Sequence, residues 1–293
     1  MTAEVSAVIV AHNSAADLRD LLPDLNDPRI QVIVLDNASQ DGSLATARSF
    51  SFVDAVDMRG NTGWTVASNA GAERALAPVL AFVNPDARPL GEQLVALASK
   101  LTPTVGSISP AFVDERGNPS PFAFRFPTPW MGLFVFFNAG RRIDRIFGHP
   151  AMKRRTYSFG RSVPASPEYV GAACLVVERH RFMTSGGFDP TMWLFFSDTD
   201  WCLRQRAEGA RHLIAADISV IHRGGGSVRQ LNPQRLDAVF RRDYRAYAMK
   251  HYTPAGRALT RMGEWMLAQL LPALLGLARF GLPTPRRRRG GML

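Results

Sequence analysis

The sequence of 293 residues contains only two cysteines, Cys174 and Cys202. Two cysteines are too few for the disulfide framework of a small secreted protein or for a cysteine-based zinc site. The first residues, MTAEVSAVIVAHN, include neither a basic leader nor a small-residue cleavage site, so we predict no signal peptide. Both absences favour a reduced, cytoplasmic setting.

Several common ligand-binding motifs are also missing. There is no GxGxxG segment and no Walker lysine loop, which excludes a dinucleotide fingerprint and a P-loop. The six histidines show no HExxH or paired spacing, which argues against a zinc site. We interpret five of them as surface or core residues. The exception is His222, because the three glycines at 224–226 suggest that the backbone there passes close to a ligand.

Basic residues outnumber acidic ones, with 35 Lys and Arg against 25 Asp and Glu and a formal net charge of +10. The surplus lies mainly after residue 140, so we expect a basic half that faces an anionic partner; the alternative is solvated surface charge. A nucleic-acid-binding protein is expected to interleave aromatic and basic residues in a recognisable motif, and none is present. We therefore expect no nucleic-acid partner. The basic residues in question are Arg141, Arg142, Arg145, Lys153, Arg154, Arg155, Arg161, Arg241, Arg242 and Arg245.

A long apolar stretch at 265–282 precedes four arginines at 286–289. It is marginal for crossing a bilayer and contains Pro272. We expect it to lie in the interface of an anionic membrane, with Trp265 and Phe280 as anchors, so that the protein is peripheral on the inner face of the cell membrane. The alternative is packing on the core or on a second subunit of a homodimer. The apolar run at 130–137 leaves the same choice between membrane contact and a buried helix.

Strands alternate with helices along the first half of the chain. Apolar, β-branched runs predict strands at 5–10, 31–35, 53–56, 79–83 and 105–109, and helical spacing predicts helices at 64–77 and 90–101. This order indicates an α/β fold with a mostly parallel, Rossmann-like sheet. We divide the chain into a domain at 1–235, with a nucleotide-binding half at 1–110 and an acceptor half at 111–235, and a C-terminal helical, membrane-facing extension with a basic tail at 236–293.

Polar residues follow the predicted strands at the edge where ligands bind in such sheets. Asp36 can accept hydrogen bonds from a base or ribose, or it can serve as a turn residue. Asp86 follows Pro85 and can coordinate a divalent metal that bridges a diphosphate, since magnesium uses only one or two protein carboxylates. Asn84 supplies a neutral oxygen ligand or orients Asp86. The alternative for this pair is a structural turn.

Several segments, in the same order, resemble glycosyltransferase family 2. They are VIVAHNS, VLDNASQDGS, RGNTGWTVASNAGAERA, FVNPDARP, YVGAACLVVERHRF, GGFDP, FFSDTDWCLRQRAEG and VIHRGGGS. The resemblance extends from about residue 5 to about residue 227. The NPD form of the metal motif and the histidine-glycine segment are most similar to bacterial rhamnosyltransferases that build cell-wall or surface polysaccharide.

This resemblance implies a GT-A fold and inverting transfer of a sugar from a nucleotide donor, assisted by Mg²⁺ or Mn²⁺. Asp86 would hold the metal, and His222 would lie near the diphosphate or act as a second metal ligand. The residues implied near the base, the ribose or the rest of the donor are Ala11, Asn13, Asp36, Gly63 and Asn69.

In the second half, a predicted strand at 169–177 begins with small residues, and Gly171 and Ala172 leave room for a ligand. A short helix is predicted at 178–183 and another at 201–208. Asp189 belongs to a region that, in the family, surrounds the acceptor and the donor sugar. Asp200, which we also count with the substrate-binding residues, would orient its neighbour or cap the second helix.

Inverting transfer needs one general base, and we assign it to Asp198, which matches the second carboxylate of the family's Glu-Asp-x-Asp pattern. Ser197 stands where glutamate is usual. This departure keeps a catalytically inactive relative as an alternative.

We expect L-rhamnose to be transferred from dTDP-rhamnose to a polyprenyl-diphosphate-linked or polysaccharide acceptor. The alternative is a UDP- or GDP-hexose donor on the same fold.

Overall fold

The computed structural model describes residues 2–120, 123–130, 164–224 and 232–279. The strands are β1 (Val5–Ala11), β2 (Ile30–Asp36), β3 (Val53–Asp57), β4 (Val79–Val83), β5 (Ala87–Arg88), β6 (Val105–Val113), β7 (Ala123–Phe124), β8 (Tyr169–Val170), β9 (Cys174–Glu178) and β10 (Arg211–His222). The helices are α1 (Ala15–Leu21), α2 (Ser43–Arg48), α3 (Gly63–Arg74), α4 (Gly91–Ala98), α5 (Arg179–Thr184), α6 (Ser197–Ala207), α7 (Pro233–His251) and α8 (Pro254–Arg279).

Eight of these strands form one sheet in the order β3-β2-β1-β4-β9-β6-β10-β5, and β7 pairs with β8 in a small second sheet. Strands β1 to β4 pair in parallel, as do β6 and β10. Strand β9 lies antiparallel between β4 and β6, and β5 is antiparallel to β10. The start of β9 therefore reaches the same edge of the sheet as the ends of β1, β2 and β4.

The sheet is covered on both faces because nearly every residue of its central strands is buried, and most of these residues are apolar. In β1, Val5, Ala7 and Ile9 face one core with α1 and α4, while Val8 and Val10 face the other core with α3, α5 and α6. A strand that is buried on both sides has no polar face, which is why the run is continuous rather than alternating. The predicted parallel sheet with helices on both faces is confirmed.

The second half differs from the sequence-based prediction in two places. The strand predicted at 169–177 is two strands, because the chain turns at 171–173 as it passes from β8 to β9. Helix α6 begins at Ser197 rather than near 201, so Asp198 and Asp200 both lie in its first turn, and neither side chain forms an N-cap hydrogen bond.

A third cluster of buried side chains joins α7 to the segment before α6. Its members are Met192, Phe196, Tyr244, Tyr247, Ala248 and Tyr252. Among the residues that the structure describes, no helix is both long enough and apolar enough to cross a membrane. The predicted apolar run after residue 130, the arginines at 141–161 and the end of the chain, including Phe280 and 286–289, lie outside the described residues.

Candidate functional site

The predicted site residues gather at the carboxyl edge of the parallel strands. Ala11 and Asp36 end β1 and β2 side by side in register. The backbone N–H of Asn84, just after β4, donates to the carbonyl of Ala173 over 2.9 Å, which ties this strand end to the start of β9. The crevice that parallel sheets use for ligands is therefore lined from both halves of the chain.

Asp36 is buried and has one oxygen in use. Its Oδ2 accepts from the backbone N–H of Ser39 over 3.1 Å, while its Oδ1 is buried and accepts no hydrogen bond from the described residues. Leaving a buried carboxylate oxygen unpaired is unfavourable, so such an atom requires an explanation. A donor group of a ligand at this strand end would satisfy it.

Asn37, next to Asp36, connects the loops around this position. Its backbone carbonyl lies 2.8 Å from Nδ1 of His12, and its side-chain oxygen accepts from the N–H of Thr62 over 2.8 Å. Its amide nitrogen donates to Asn61. The contacts of Asn37 thus fix the loops after β1, β2 and β3 to one another through uncharged groups. This role of Asn37 was not predicted, since its only signal in the sequence is its place after Asp36.

Asn13 and Gly63 both have left-handed backbone conformations, with φ of 50° and 86°. The Asn13 side-chain oxygen accepts from the N–H of Gln40 over 2.7 Å. At Gly63 a Cβ would overlap Trp193, so only glycine allows the tryptophan to pack against the start of α3. Gly63 thus brings the predicted donor residues into contact with the segment that leads to Asp198.

Asn69 is a second connection between the two halves. Its amide donates to the carbonyl of Phe188 over 2.8 Å and its oxygen accepts from the N–H of the same residue over 3.0 Å. The side-chain amide of Asn69 thus bonds both backbone groups of Phe188, as a neighbouring strand would. The structure therefore places Asn69 against the loop that follows Gly187.

Asp86 and His222 are far apart in sequence and adjacent in space. Residues 87 and 222 pair directly between β5 and β10, and His222 Nε2 lies 3.6 Å from Asp86 Oδ1. Both side chains are buried. The carboxylate suits Mn²⁺ or Mg²⁺, and the imidazole suits a transition metal, so the pair fits a divalent cation such as Mn²⁺ better than Mg²⁺, with phosphate and water as further ligands. No group of three or more metal-binding side chains occurs among the described residues.

Arg223 anchors this pair. Its backbone N–H donates to the carbonyl of Asp86 over 3.0 Å. Its guanidinium contacts Asp20 at 2.7 Å, Glu115 at 2.8 Å and Asp17 at 3.2 Å. The hydrogen bond to Asp20 is the main cause that raises the pKa of Arg223. Arg223 was not predicted as a site residue, because its partners come from α1 and from the turn after β6.

Asp198 is half-buried in the first turn of α6. Its Oδ2 accepts from the N–H of Ala172 over 3.0 Å and its Oδ1 from the N–H of Thr199 over 2.7 Å. Burial disfavours the charged carboxylate and raises its pKa above the ordinary value of 3.8, and these hydrogen bonds offset only part of that effect. A carboxylate with a raised pKa is a better proton acceptor.

Gly171 and Ala172 form the turn that brings the chain to Asp198. The contact between Ala172 and Asp198 links the start of β9 to α6, and Asn84 contacts the neighbouring residue Ala173. Asp198 and the Asp86 segment are therefore joined through one short turn at the same edge of the sheet.

Asp200 is fully buried and contacts an arginine, a lysine and a histidine. Its Oδ2 pairs with Arg204 at 3.0 Å, and its Oδ1 pairs with His251 at 2.6 Å and Lys250 at 2.8 Å. Burial raises the pKa of Asp200, but the hydrogen bonds from His251 and Lys250 outweigh it and bring the pKa below its usual value. All three partners come from α6 and α7.

Asp189 pairs with Lys250 at 2.6 Å. Burial raises its pKa, but hydrogen bonds from Lys250 and Thr191 outweigh this effect and lower the pKa to about 2. The predicted substrate residues Asp189 and Asp200 thus share one lysine.

Ser197 is buried and fits its small site. Its hydroxyl is hydrogen-bonded to that of Thr65 on α3 and lies 3.3 Å from the carbonyl of Met192. A serine here connects α3 to α6 where glutamate is usual in the family. The serine that replaces the usual glutamate therefore has a hydrogen-bond partner, Thr65.

The two cysteines and His212 lie in the protein core. Cys174 and Cys202 are both free and buried. His212 is a core residue bonded to Ser107 and to the carbonyl of Cys202, and burial lowers its pKa to about 4.

Comparison with known proteins agrees with this architecture. A model described as Glycosyl transferase family 2 matches residues 6–156, about half of the chain. The chain belongs to glycosyl transferase family 2. It is a glycosyltransferase with the GT-A fold, as the resemblance in sequence implied. A comparison with curated proteins finds no match.

Solved structures with similar folds include a mannosyltransferase, PcManGT, from Pyrobaculum calidifontis in complex with GDP-Man and Mn²⁺. It is 17% identical with a TM-score of 0.53, and the match covers 97% of this chain and 77% of that one. Residues 1–349 of S. aureus TarS in complex with UDP-GlcNAc are 15% identical with a TM-score of 0.52, covering 94% of this chain and 74% of that one. At these identities the similarity shows the fold alone.

Proposed function

We propose that this glycosyltransferase moves a sugar, with inversion, from a nucleoside diphosphate donor to an acceptor hydroxyl, with Asp198 as general base. The observation that carries the proposal is the convergence of Asp36, the Asp86–His222 pair and Asp198 on one edge of the sheet. Each of these groups suits one requirement of the reaction: recognition of the nucleoside, neutralisation of the diphosphate and removal of a proton.

On the donor side, the buried Oδ1 of Asp36 accepts a hydrogen bond from the ribose or the base. Ala11, Asn13 and Gly63 border the same edge and shape the space around the nucleoside. The amide network of Asn37 holds these loops in place before the donor binds, which reduces the ordering that binding requires.

Asp86 and His222 would hold a divalent cation, with Asn84 beside them. Bound there, the cation would neutralise charge on the diphosphate leaving group. Arg223 keeps both side chains in place through its backbone contact with Asp86 and its contacts with α1. Mn²⁺ in the PcManGT structure is compatible with this assignment.

Asp198 removes the proton of the acceptor hydroxyl while the oxygen of that hydroxyl forms a bond to the anomeric carbon. The bond between that carbon and the diphosphate breaks at the same time, and the nucleoside diphosphate leaves with the bonding electrons. The raised pKa of Asp198 suits this role, and such a base typically contributes about 10²- to 10⁴-fold. We assign Gly171, Ala172 and Asp189 to the acceptor side, and the fully buried Asp200 acts there as an orienting residue.

We propose dTDP-L-rhamnose as the donor and a lipid-linked glycan as the acceptor, on the basis of the sequence resemblance. The GDP-Man and UDP-GlcNAc of the similar structures keep a GDP- or UDP-hexose as the second candidate. Purified protein should be assayed with Mn²⁺ and a panel of dTDP-, UDP- and GDP-sugars, with thermal shift and release of nucleoside diphosphate as readouts.

The donor proposal requires that dTDP-rhamnose gives the largest thermal shift and the fastest release. A stronger response to UDP- or GDP-hexose would replace it with the second candidate. Binding of donor without any release in the presence of acceptor would instead support the inactive alternative. Asp86→Asn should abolish the Mn²⁺ dependence of binding, and an unchanged dependence would remove Asp86 from the metal site.

The proposed membrane surface is formed by exposed apolar residues near the start of α8. Met262 and Trp265 are 46% and 63% exposed, and Trp130 is 66% exposed. Gly256 of α8 packs directly on Pro129, which brings Trp130 to the same helix. Exposed tryptophan beside arginine is typical of helices that bind the interface of anionic membranes.

Sedimentation with anionic and neutral vesicles tests this surface. The wild type should bind anionic vesicles, and Trp265→Ala should weaken that binding. Equal recovery of wild type and variant with both vesicles would contradict the proposal, and a dimer lost on the same substitution would assign the surface to a second copy of the chain.

A further inference from the structure

The segment at 188–198 carries Asp198 and has an unusual backbone. Phe196, two residues before Asp198, has a φ of 68°. Bulky residues seldom adopt this left-handed conformation, and they keep it only where the surroundings hold it. We call 188–198 the base-bearing segment and ask which residues hold it.

Helix α7 contacts this segment in its middle through Asp243. The side chain is fully buried, and its Oδ2 accepts from the backbone N–H of Leu194 over 2.8 Å and of Phe195 over 3.0 Å. Its Oδ1 pairs with Arg242 at 2.8 Å. A buried carboxylate is unfavourable unless it is paired, so its position and that of the two N–H groups depend on each other.

The same helix contacts both ends of the segment through Lys250. Its ammonium lies 2.6 Å from Asp189 near the start and 2.8 Å from Asp200 just past the end. His251 adds a contact of 2.6 Å to the same oxygen of Asp200. One lysine therefore joins the two ends of the segment, with Asp200 fully buried.

Apolar packing accompanies these polar contacts. The ring of Phe196 packs against those of Tyr244 and Tyr247 with centroid distances of 5.6 and 5.8 Å. The guanidinium of Arg242 lies 5.9 Å from the centroid of Trp193, the residue that touches Gly63 on the donor side. Helix α7 is thus packed along the whole length of the base-bearing segment.

We propose that Asp243 and Lys250 are positioning residues that hold the base-bearing segment, and with it the carboxylate of Asp198, in the geometry for proton transfer. Neither residue touches the substrate. The proposal rests on the proposed role of Asp198. By this proposal, the reaction requires α7. This helix lies outside the residues matched by the family model.

The test compares Asp243→Ala with Asp243→Asn and with Asp237→Asn. Asp237 lies on the same helix and forms an ion pair with Arg241, so it is a matched control away from the segment. We expect Asp243→Ala to lower kcat about 100-fold with the donor KM unchanged, since small misplacements of reacting groups have effects of this size. Asparagine keeps an acceptor for both N–H groups and should restore most of kcat, and the control should match wild type.

A second readout does not depend on turnover. The chain has five tryptophans, so fluorine-labelled tryptophan gives a resonance for Trp193 that Trp193→Phe assigns. Asp243→Ala should shift this resonance and Asp237→Asn should not. If the wild type transfers no sugar but the shift occurs, the proposed function fails while the attachment of the segment to α7 stands.

A folded Asp243→Ala variant with wild-type kcat and an unshifted Trp193 resonance would overturn the proposal. If Asp243→Ala does not fold, Lys250→Met decides, since it keeps the volume of the side chain and removes the contacts with Asp189 and Asp200. Lowered kcat at constant donor KM in that variant supports the proposal, and unchanged kcat refutes it.

Discussion

The loops around Asp36 and the segment before Asp198 are held in different ways. Around Asp36, amide and hydroxyl groups of residues about 25 positions apart bond to one another, as in the contacts of Asn37 with His12 and Thr62. Around the base-bearing segment, the contacts are made by charged side chains of α7, about 50 to 60 positions further along the chain, as in those of the buried Asp243 and the more exposed Lys250.

This difference separates two parts of the proposed reaction. The proposed nucleotide side is built from the ends of neighbouring strands. Because these strands are adjacent in the sheet, their loops meet without contacts from a distant helix. The base is held by a helix that follows the sheet domain in sequence. We therefore expect substitutions on one side to affect donor binding and those on the other to affect turnover.

The largest effect is expected from Asp198→Asn. Asparagine keeps the size of the side chain but cannot take a proton, so kcat should fall about 10²- to 10⁴-fold. Donor binding should stay unchanged, because the nucleotide side has its own contacts. Steady-state kinetics and titration with the nucleoside diphosphate measure the two quantities. Unchanged turnover would remove Asp198 from its role, and weakened donor binding would show that the two sides are not separate.

A smaller effect is expected from Asp36→Ala, and it should appear in donor affinity instead of kcat. It removes a charged acceptor whose hydrogen bonds are typically worth about 1.5–3 kcal/mol, so the donor should bind about 10- to 100-fold more weakly. Isothermal titration gives the affinity, and kcat at saturating donor should change little. Asp217→Ala, which removes an exposed carboxylate paired with Lys100, is the matched control and should bind donor like wild type. Equal affinities in the wild type and Asp36→Ala would contradict the assignment of the unpaired oxygen.

The smallest effect concerns the contact between the two sides. Ser197→Glu restores the residue usual in the family but forces a larger, charged side chain into the buried site beside Thr65. We expect the free energy of unfolding to fall by about 1–3 kcal/mol, measured by urea denaturation. Ser51→Glu, in an exposed turn before β3, should stay within about 0.5 kcal/mol of wild type. A more stable Ser197→Glu variant would show that the site has room for glutamate.

Much of the first half was predictable because its signals are local. The apolar runs of β1, β2 and β4 gave strand positions within one or two residues, and the polar residues after them marked the ligand edge. Strand β10 was not predicted, because its apolar residues alternate with exposed ones and with charges. The start of α6 was placed too late, since Ser197 and Asp198 resemble residues that precede a helix.

The pairing of Asp86 with His222 was expected only through the family resemblance, and the contacts of Arg223 and Asp243 were not expected at all. Each depends on side chains from elements far apart in sequence, and a sequence pattern carries no record of which distant residue will face a given carboxylate. The ion pairs of Lys250 are of this kind, since this one side chain contacts both Asp189 and Asp200.

The positions of β1, β2 and β4, the burial of these strands on both faces and the types of residue at their carboxyl ends follow from the sequence alone, because apolar periodicity and turn chemistry act over a few residues. Which of those edge residues meet, and what holds Asp198 in place, was decided by the tertiary structure. The physical reason is that a buried charge must find its partner in space, and only the pairing of β10 within the sheet and the packing of α7 against the base-bearing segment bring those partners within reach.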